Sequence, residues 1–173
     1  KKEIEKCNDE LAKAYKNITY TSELSMLSRM NWWTVEYGLV GDLNNPKIYG
    51  AGLLSSVSES ENCYTKKVKK IKLDLNCTNY PYDITEQQPQ LFVTPSYQHL
   101  RKVLKKLSKK MSYKIGGEHG IKTAIKAKTV CTVEIDNILQ ISGIVNNYYQ
   151  YKNETIFLKF ISPTQLSYNK KQI

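Results

Sequence analysis

Hydrophobic residues recur at two different spacings, and the change of spacing divides the chain into a helical part and a β-rich part. Up to about residue 112, many apolar residues lie three or four positions apart, which places them on one side of a helix. From about residue 128, β-branched and aromatic residues form short runs between turn residues, a pattern typical of antiparallel strands. The pattern predicts an α+β protein.

Helices are predicted over residues 2–16, 23–39 and 96–111. We expect the apolar side of the first to be buried. Thr21 or Ser22 can cap the second, and Ser96 can cap the third. The apolar positions are Ile4, Cys7, Leu11, Ala14 and Tyr15, then Leu27, Met30, Thr34 and Tyr37, then Leu100, Val103, Leu104, Leu107 and Met111.

Strands are predicted over 68–75, over 90–94 and in a small antiparallel sheet within 128–168. Between the helical part and this sheet, "YKIGGEHG" (113–120) contains three glycines and breaks the helical pattern. We therefore predict two domains, 1–114 and 115–173.

The chain is strongly basic, with 26 Lys and Arg against 16 Asp and Glu and a net charge of +10. Many of the lysines lie in "KKVKKIK" (66–72) and "RKVLKKLSKK" (101–110), where apolar residues recur periodically, so we interpret them as solvated faces of folded elements. Charge alone does not lead us to expect a nucleic-acid partner. Four cysteines are scattered without a C-x-x-C pair, and no apolar run is long enough to span a membrane. We expect a cytoplasmic protein without a membrane segment.

One carboxylate has unusual neighbours: Glu36 is the only charged residue of "NWWTVEYGLV" (31–40). An ionised carboxylate among aromatic rings is costly unless it is paired, hydrogen-bonded or bound to a cation. On an α-helix, Arg29, Trp32 and Trp33 share its face. Glu36 therefore pairs with Arg29, lies at the exposed edge of an aromatic face, or serves a site as metal ligand or catalytic acid beside an aromatic pocket. The residues alone leave these interpretations open.

Other chemical motifs are missing. His99 and His119 are the only histidines, and neither has a second ligand at a metal-binding spacing. "YGAGLL" does not continue into a phosphate-binding loop, and no nucleophile elbow occurs. A self-contained hydrolase is not predicted.

Three blocks in order, "WWTVEYGL" (32–39), "KIYGAGLLSS" (47–56) and "YDITEQQPQLFV" (82–93), resemble the C-terminal half of the catalytic domain of the pterin-dependent aromatic amino acid hydroxylases. The bacterial phenylalanine-hydroxylating members are the most similar. The resemblance implies a mainly helical, partial hydroxylase domain in 1–114. The small antiparallel β module in 115–173 would be a C-terminal extension whose role the sequence does not indicate.

The resemblance also implies a function. Family members use iron(II), tetrahydrobiopterin and dioxygen to hydroxylate the ring of an aromatic amino acid, and phenylalanine is our default substrate. Two histidines and one glutamate hold their iron, and the glutamate corresponds to Glu36. No other catalytic residue is assigned. The substrate-binding residues that the resemblance implies are Trp32, Gly52, Ser55, Ser56 and Tyr82.

The chain departs from the family pattern where the iron histidines are expected. No histidine precedes Glu36, and Asn31 stands where many members have a tyrosine. We expect this chain to be the C-terminal part of a longer hydroxylase and to be inactive alone. The alternatives are a non-enzymatic basic module that binds nucleic acid and a degenerate homologue without catalysis. The oligomeric state is not predicted.

Overall fold

The computed structural model describes residues 2–18, 20–161 and 163–173, without the side chains of residues 2, 15 and 16. The chain forms two compact units: Ser22–Lys114, and Lys1–Thr21 together with Ile115–Ile173. Both helices and sheets are present, which confirms the α+β class. The predicted division into a hydroxylase domain and an extension stays a prediction.

The elements are numbered in chain order. They are α1 (Lys2–Lys16), α2 (Glu23–Asn31), a π-helical turn (Trp32–Glu36), β1 (Leu39–Gly41), β2 (Pro46–Ile48), α3 (Ala51–Ser55), α4 (Val57–Asn62), β3 (Lys69–Lys72), a 3₁₀ turn (Leu75–Asn79), β4 (Gln90–Thr94), α5 (Tyr97–Ser108), α6 (Ser112–Ile115), α7 (Gly117–Ala127), β5 (Cys131–Ile135), β6 (Leu139–Gly143), β7 (Val145–Tyr151), β8 (Glu154–Phe160), β9 (Gln165–Tyr168) and β10 (Lys171–Gln172).

The unit Ser22–Lys114 contains a mixed sheet in the order β2-β1-β4-β3. β4 pairs in parallel with β1 and with β3, whereas β1 and β2 pair antiparallel. Because β4 lies inside the sheet, its residues Leu91, Phe92 and Val93 are each at most 2% exposed. The strand predicted over 90–94 is confirmed, and the strand predicted over 68–75 is shorter than expected.

Helix α5 is confirmed where the sequence predicts it. The Ser96 hydroxyl caps it by accepting a hydrogen bond from the His99 amide at 3.2 Å. Its apolar side buries Val103 and Leu107, and Met111 follows it into the core. The core of this unit consists of Met30, Trp33, Leu39, Leu53, Cys63, Val68, Leu73, Cys77, Leu91, Phe92, Val93, Val103, Leu107 and Met111.

The β-rich unit contains two sheets rather than the single sheet that we expected. One has the order β10-β9-β6-β5 and the other is the β7–β8 hairpin, and all their pairs are antiparallel. Tight turns with left-handed backbone connect the strands of the β5–β6, β7–β8 and β9–β10 hairpins, at Asp136–Asn137, Lys152–Asn153 and Asn169–Lys170. Helix α7 was not predicted, because it begins within the segment 113–120 that the glycine pattern assigned to a domain boundary.

The helix over 2–16 is confirmed, but the expected burial of its apolar side is wrong. Ile4 is 66% and Leu11 54% exposed, and Cys7 and Ala14 are exposed as well. Periodicity identifies the residues that share a helix face, but it does not show whether another element covers that face. Among the described residues, no helix combines the length and the apolar character that a bilayer crossing requires.

Candidate functional site

The residues around Glu36 form a π-helical turn instead of continuing α2. The Tyr37 amide donates to the Trp32 carbonyl, five residues back, at 2.8 Å. The Thr34 hydroxyl donates to the Met30 carbonyl at 2.6 Å, a local bond that competes with regular helix geometry. Single π-helical turns of this kind are frequent at functional sites.

The helix predicted over 23–39 is therefore α-helical only as far as Asn31 and ends with the π-helical turn at Glu36. Of the interpretations that the sequence left open for Glu36, the pair with Arg29 is not formed in the described part of the chain. The Arg29 guanidinium donates to the Thr78 carbonyl at 3.0 Å. The wider turn changes the direction of Glu36 relative to α2, so the spacing of an ideal α-helix no longer applies. Among the described residues, the Glu36 carboxylate makes no hydrogen bond and no ion pair.

The backbone of Glu36 is held closely by the glycine segment that follows β2. A Cβ atom on Gly50 would lie 2.4 Å from the Glu36 carbonyl oxygen, and one on Gly52 would lie 3.1 Å from it. Only glycine permits this approach, which packs α3 against the π-helical turn. Gly52 is thereby brought next to Glu36.

Trp32 lies between two tyrosine rings. Its ring stacks on Tyr37, with centroids 4.6 Å apart, and on Tyr82, with centroids 4.3 Å apart and planes within 9°. The Tyr82 hydroxyl is hydrogen-bonded to the Ser28 hydroxyl. Trp32 is half-buried, whereas its neighbour Trp33 is fully buried in the core. The structure thus brings Trp32 and Tyr82 together in a partly exposed aromatic stack.

Ser55 and Ser56 have local partners. The exposed Ser55 hydroxyl donates to the Gly52 carbonyl at 3.0 Å within α3. Ser56 begins α4, where its hydroxyl accepts from the Glu59 amide at 3.4 Å. Neither serine side chain is hydrogen-bonded to Glu36 in the described part of the chain, and their roles in substrate binding stay predictions.

Two residues that were not predicted from the sequence support the stack. The Trp32 indole N–H donates to the Oε1 atom of buried Gln88 at 3.3 Å. The Glu59 carboxylate accepts two hydrogen bonds. Its Oε1 atom accepts from the Gln88 backbone amide at 3.4 Å, and its Oε2 atom accepts from the Tyr37 hydroxyl at 3.0 Å. Burial and this bond to Glu59 raise the pKa of Tyr37 to about 12.

A signal for Glu59 was present in the sequence: Ser56 and Glu59 have the spacing of a helix-capping box. That spacing indicates the start of a helix, but it gives no sign that the carboxylate reaches Tyr37. Gln88 lies in the matched block "TEQQPQLFV", although nothing in the block indicates that its side chain meets Trp32.

The donor set fits only part of an iron site. Glu36 supplies a carboxylate without a protein partner, which suits one position on a divalent ion. His99 Nε2 lies 2.8 Å from the Leu73 carbonyl, and His119 is exposed in α7. Among the residues that the structure describes, no group of three His, Cys, Asp or Glu side chains is arranged to bind a metal.

The sequence matches a model of the biopterin-dependent aromatic amino acid hydroxylases over residues 14–153. The chain belongs to this family. The match extends into the β-rich unit as far as the β7–β8 turn, beyond the blocks on which the resemblance rested.

Relatives in this hydroxylase family are much longer than the chain. It is 34% identical to a phenylalanine-4-hydroxylase of Dictyostelium discoideum, over 50% of this chain and 20% of the relative. It is 40% identical to the phenylalanine-4-hydroxylase of Chromobacterium violaceum, over 44% of this chain and 27% of the relative. It is 31% identical to protein henna of Drosophila melanogaster, over 72% of this chain and 26% of the relative. The chain thus spans about a fifth to a quarter of these relatives.

Among solved structures, the chain is similar to the iron- and phenylalanine-bound phenylalanine hydroxylase of Chromobacterium violaceum. The two are 38% identical, with a TM-score of 0.45, over 47% of this chain and 31% of that one. A cobalt-bound structure of the same enzyme is 34% identical, with a TM-score of 0.43, over 50% of this chain and 35% of that one.

Proposed function

We propose that the chain is the C-terminal part of an iron(II)- and tetrahydrobiopterin-dependent monooxygenase that hydroxylates phenylalanine to tyrosine. Membership of the family and the names of the relatives support this proposal. The observation that carries it within the chain is Glu36, an unpartnered carboxylate on a π-helical turn beside a partly exposed aromatic stack.

In this proposal each part of the site has a separate task. Glu36 binds iron, and the lack of a competing protein partner leaves both of its oxygens available. Trp32 and Tyr82 belong to an aromatic wall that orients an aromatic ring and excludes water, and Trp32 contributes its edge because Tyr37 and Tyr82 cover its faces. When bound, iron and the reduced pterin supply the activation of dioxygen.

The remaining iron ligands would come from histidines outside residues 1–173. His99 is bonded to a backbone carbonyl and His119 is exposed, so we assign neither to the iron. We therefore expect the chain alone to bind iron weakly and to form no tyrosine from phenylalanine. Substrate binding by Gly52, Ser55 and Ser56 is part of the same proposal.

An anaerobic iron(II) titration of the chain tests the incomplete site. The expected result is weak binding that Glu36→Gln lowers further, whereas Glu61→Gln, which changes an exposed carboxylate of α4, has no effect. Stoichiometric, submicromolar binding that depends on Glu36 would contradict the incomplete site.

The coding sequence upstream of Lys1 tests the function. We expect it to encode two histidines a few residues apart on a helix. The protein expressed with them should convert phenylalanine to tyrosine when iron, tetrahydrobiopterin and dioxygen are supplied, and Glu36→Gln should abolish this conversion. An upstream sequence without such histidines would instead identify a degenerate homologue.

A further inference from the structure

The aromatic stack is tied to the protein by hydrogen bonds at its edge. The Trp32 side chain donates its only polar hydrogen to Gln88 Oε1 at 3.3 Å. The Gln88 amide group is in turn fixed by two backbone carbonyls, those of Asp83 at 2.7 Å and Glu86 at 2.9 Å. Every polar atom of this buried side chain therefore has a partner, which holds it in one orientation.

Glu59 connects this support to the other side of the stack. One carboxylate oxygen accepts from the Gln88 backbone amide and the other from the Tyr37 hydroxyl. The same carboxylate therefore restrains both the loop that holds Trp32 and the ring that stacks on Trp32. Bonds to a charged acceptor are stronger than neutral ones, which suits a restraining role.

The stack is coupled to the π-helical turn through its backbone. Residues five apart on an α-helix point about 140° away from each other, so their rings would not stack. Trp32 and Tyr37 are five apart, and they stack because the turn is wound more widely, with the Tyr37 amide bonded to the Trp32 carbonyl. Glu36 is the last residue of that turn, so its direction depends on the same winding.

We propose that Gln88 and Glu59 are positioning residues: they hold the Trp32–Tyr37 stack, maintain the π-helical turn and so set the direction of Glu36. The role of Glu36 as a metal ligand rests on the proposed function, whereas the coupling between the network and the turn does not. Neither Gln88 nor Glu59 needs to touch iron or substrate.

Amide and indole hydrogen exchange of the chain, followed by NMR without metal, tests the coupling. In Gln88→Met, the Tyr37 amide and the Trp32 indole N–H should exchange about tenfold faster or more. The Leu73 amide, bonded to the Val93 carbonyl in the core, and the Trp33 indole N–H, bonded to the Tyr80 carbonyl, should change much less. A general loss of stability would instead accelerate all of these protons together.

Matched variants separate this network from its surroundings. Gln87→Met changes the adjacent exposed glutamine, which bonds to Ser58 and Asn62, and should leave the Tyr37 amide unchanged. Glu59→Leu should accelerate Tyr37 exchange, whereas Glu61→Leu should not. If Gln88→Met does not fold, Tyr37→Phe removes only the hydroxyl bond to Glu59 and should still accelerate the Tyr37 amide selectively.

The inference would be overturned if the exchange rate of the Tyr37 amide did not change in Gln88→Met. If Gln88→Met does not fold, an unchanged rate at position 37 in Tyr37→Phe would overturn it instead. Equal acceleration of the core protons, the Leu73 amide and the Trp33 indole N–H, would also overturn it. These results differ from a failure of the proposed function. If Glu36 plays no part in iron binding, the exchange pattern can still establish the coupling. If the exchange pattern shows no coupling, Glu36 can still bind iron.

Discussion

Phe92 and Phe157 are the same residue type in β-strands of the two units, yet Phe92 is 1% exposed and Phe157 is 55% exposed. Phe92 lies inside the mixed sheet and contacts the rings of Trp33 and Tyr80. Phe157 lies in the β7–β8 hairpin opposite Tyr149, which is also exposed. Of the apolar side chains described as buried, only Val145 lies outside Ser22–Lys114.

The contrast indicates two sources of stability. Burial of apolar surface stabilises Ser22–Lys114, and the candidate site depends on this core because the π-helical turn contains buried Trp33. The hairpins of the β-rich unit depend more on backbone pairing and on turns with left-handed residues. A site that requires fixed side-chain directions is better supported by the first kind of structure.

The largest expected effect comes from truncating each phenylalanine. Phe92→Ala should lower the free energy of unfolding of Ser22–Lys114 by about 3–5 kcal/mol, because it leaves a cavity in a packed core. Phe157→Ala, the matched control, should change stability by about 0.5 kcal/mol or less. Chemical denaturation followed by tryptophan fluorescence measures the loss in Ser22–Lys114, since Trp32 and Trp33 both lie in it, and amide exchange in β7 and β8 measures the loss in the unit of Phe157. Equal losses in both variants would remove the contrast.

A smaller effect is expected from adding a methyl group beside the site. Gly50→Ala should cost about 1–3 kcal/mol, because its Cβ would meet the Glu36 backbone. Gly52→Ala should cost less, since its nearest contact is the side chain of Tyr37 at 2.9 Å. Thermal unfolding of both variants provides the measurement. A neutral Gly50→Ala would show that the approach of α3 to the turn is not tight.

The turns of the β-rich unit should respond to backbone conformation rather than to volume. Asn153 has a φ of 66°, so Asn153→Ala should destabilise the β7–β8 hairpin by about 1 kcal/mol. Asn153→Gly should have little effect because glycine adopts this conformation freely. Amide exchange in β7 and β8 measures the change. If alanine is tolerated as well as glycine, turn conformation does not limit the hairpin.

The smallest effect on stability at neutral pH is expected from two tyrosines of Ser22–Lys114. Burial raises the pKa of Tyr37 and of Tyr49 to about 12 from the ordinary value of 10.0. The folded state then holds these protons more tightly than the unfolded chain, so stability should be unaffected below about pH 10 and should fall between about pH 10 and 12. Denaturation midpoints of Tyr37→Phe and Tyr49→Phe should fall less steeply over that range. A decline identical to that of the parent chain would contradict the shifts.

Much of the fold could be predicted from local pattern. Helix α5 follows from its apolar spacing and the Ser96 cap, and β4 follows from a short apolar run. Helix α7 was missed because two glycines at its start suggested a break. In the structure, Gly116 and Gly117 adopt left-handed backbone immediately before the helix and at its first residue, so a break signal and a helix start coincide.

The sequence by itself determined the family, because its blocks keep a specific order and spacing, and it identified Glu36 as a carboxylate that needs a partner. Only the tertiary structure decided which side chains support the π-helical turn that carries this carboxylate. Arg29 bonds to the Thr78 carbonyl rather than to Glu36, and Gln88 and Glu59 reach Trp32 and Tyr37 from distant parts of the chain. Local periodicity assumes ideal helix geometry and contains no information about such contacts, because long-range packing sets both the winding of a turn and the partners of a side chain.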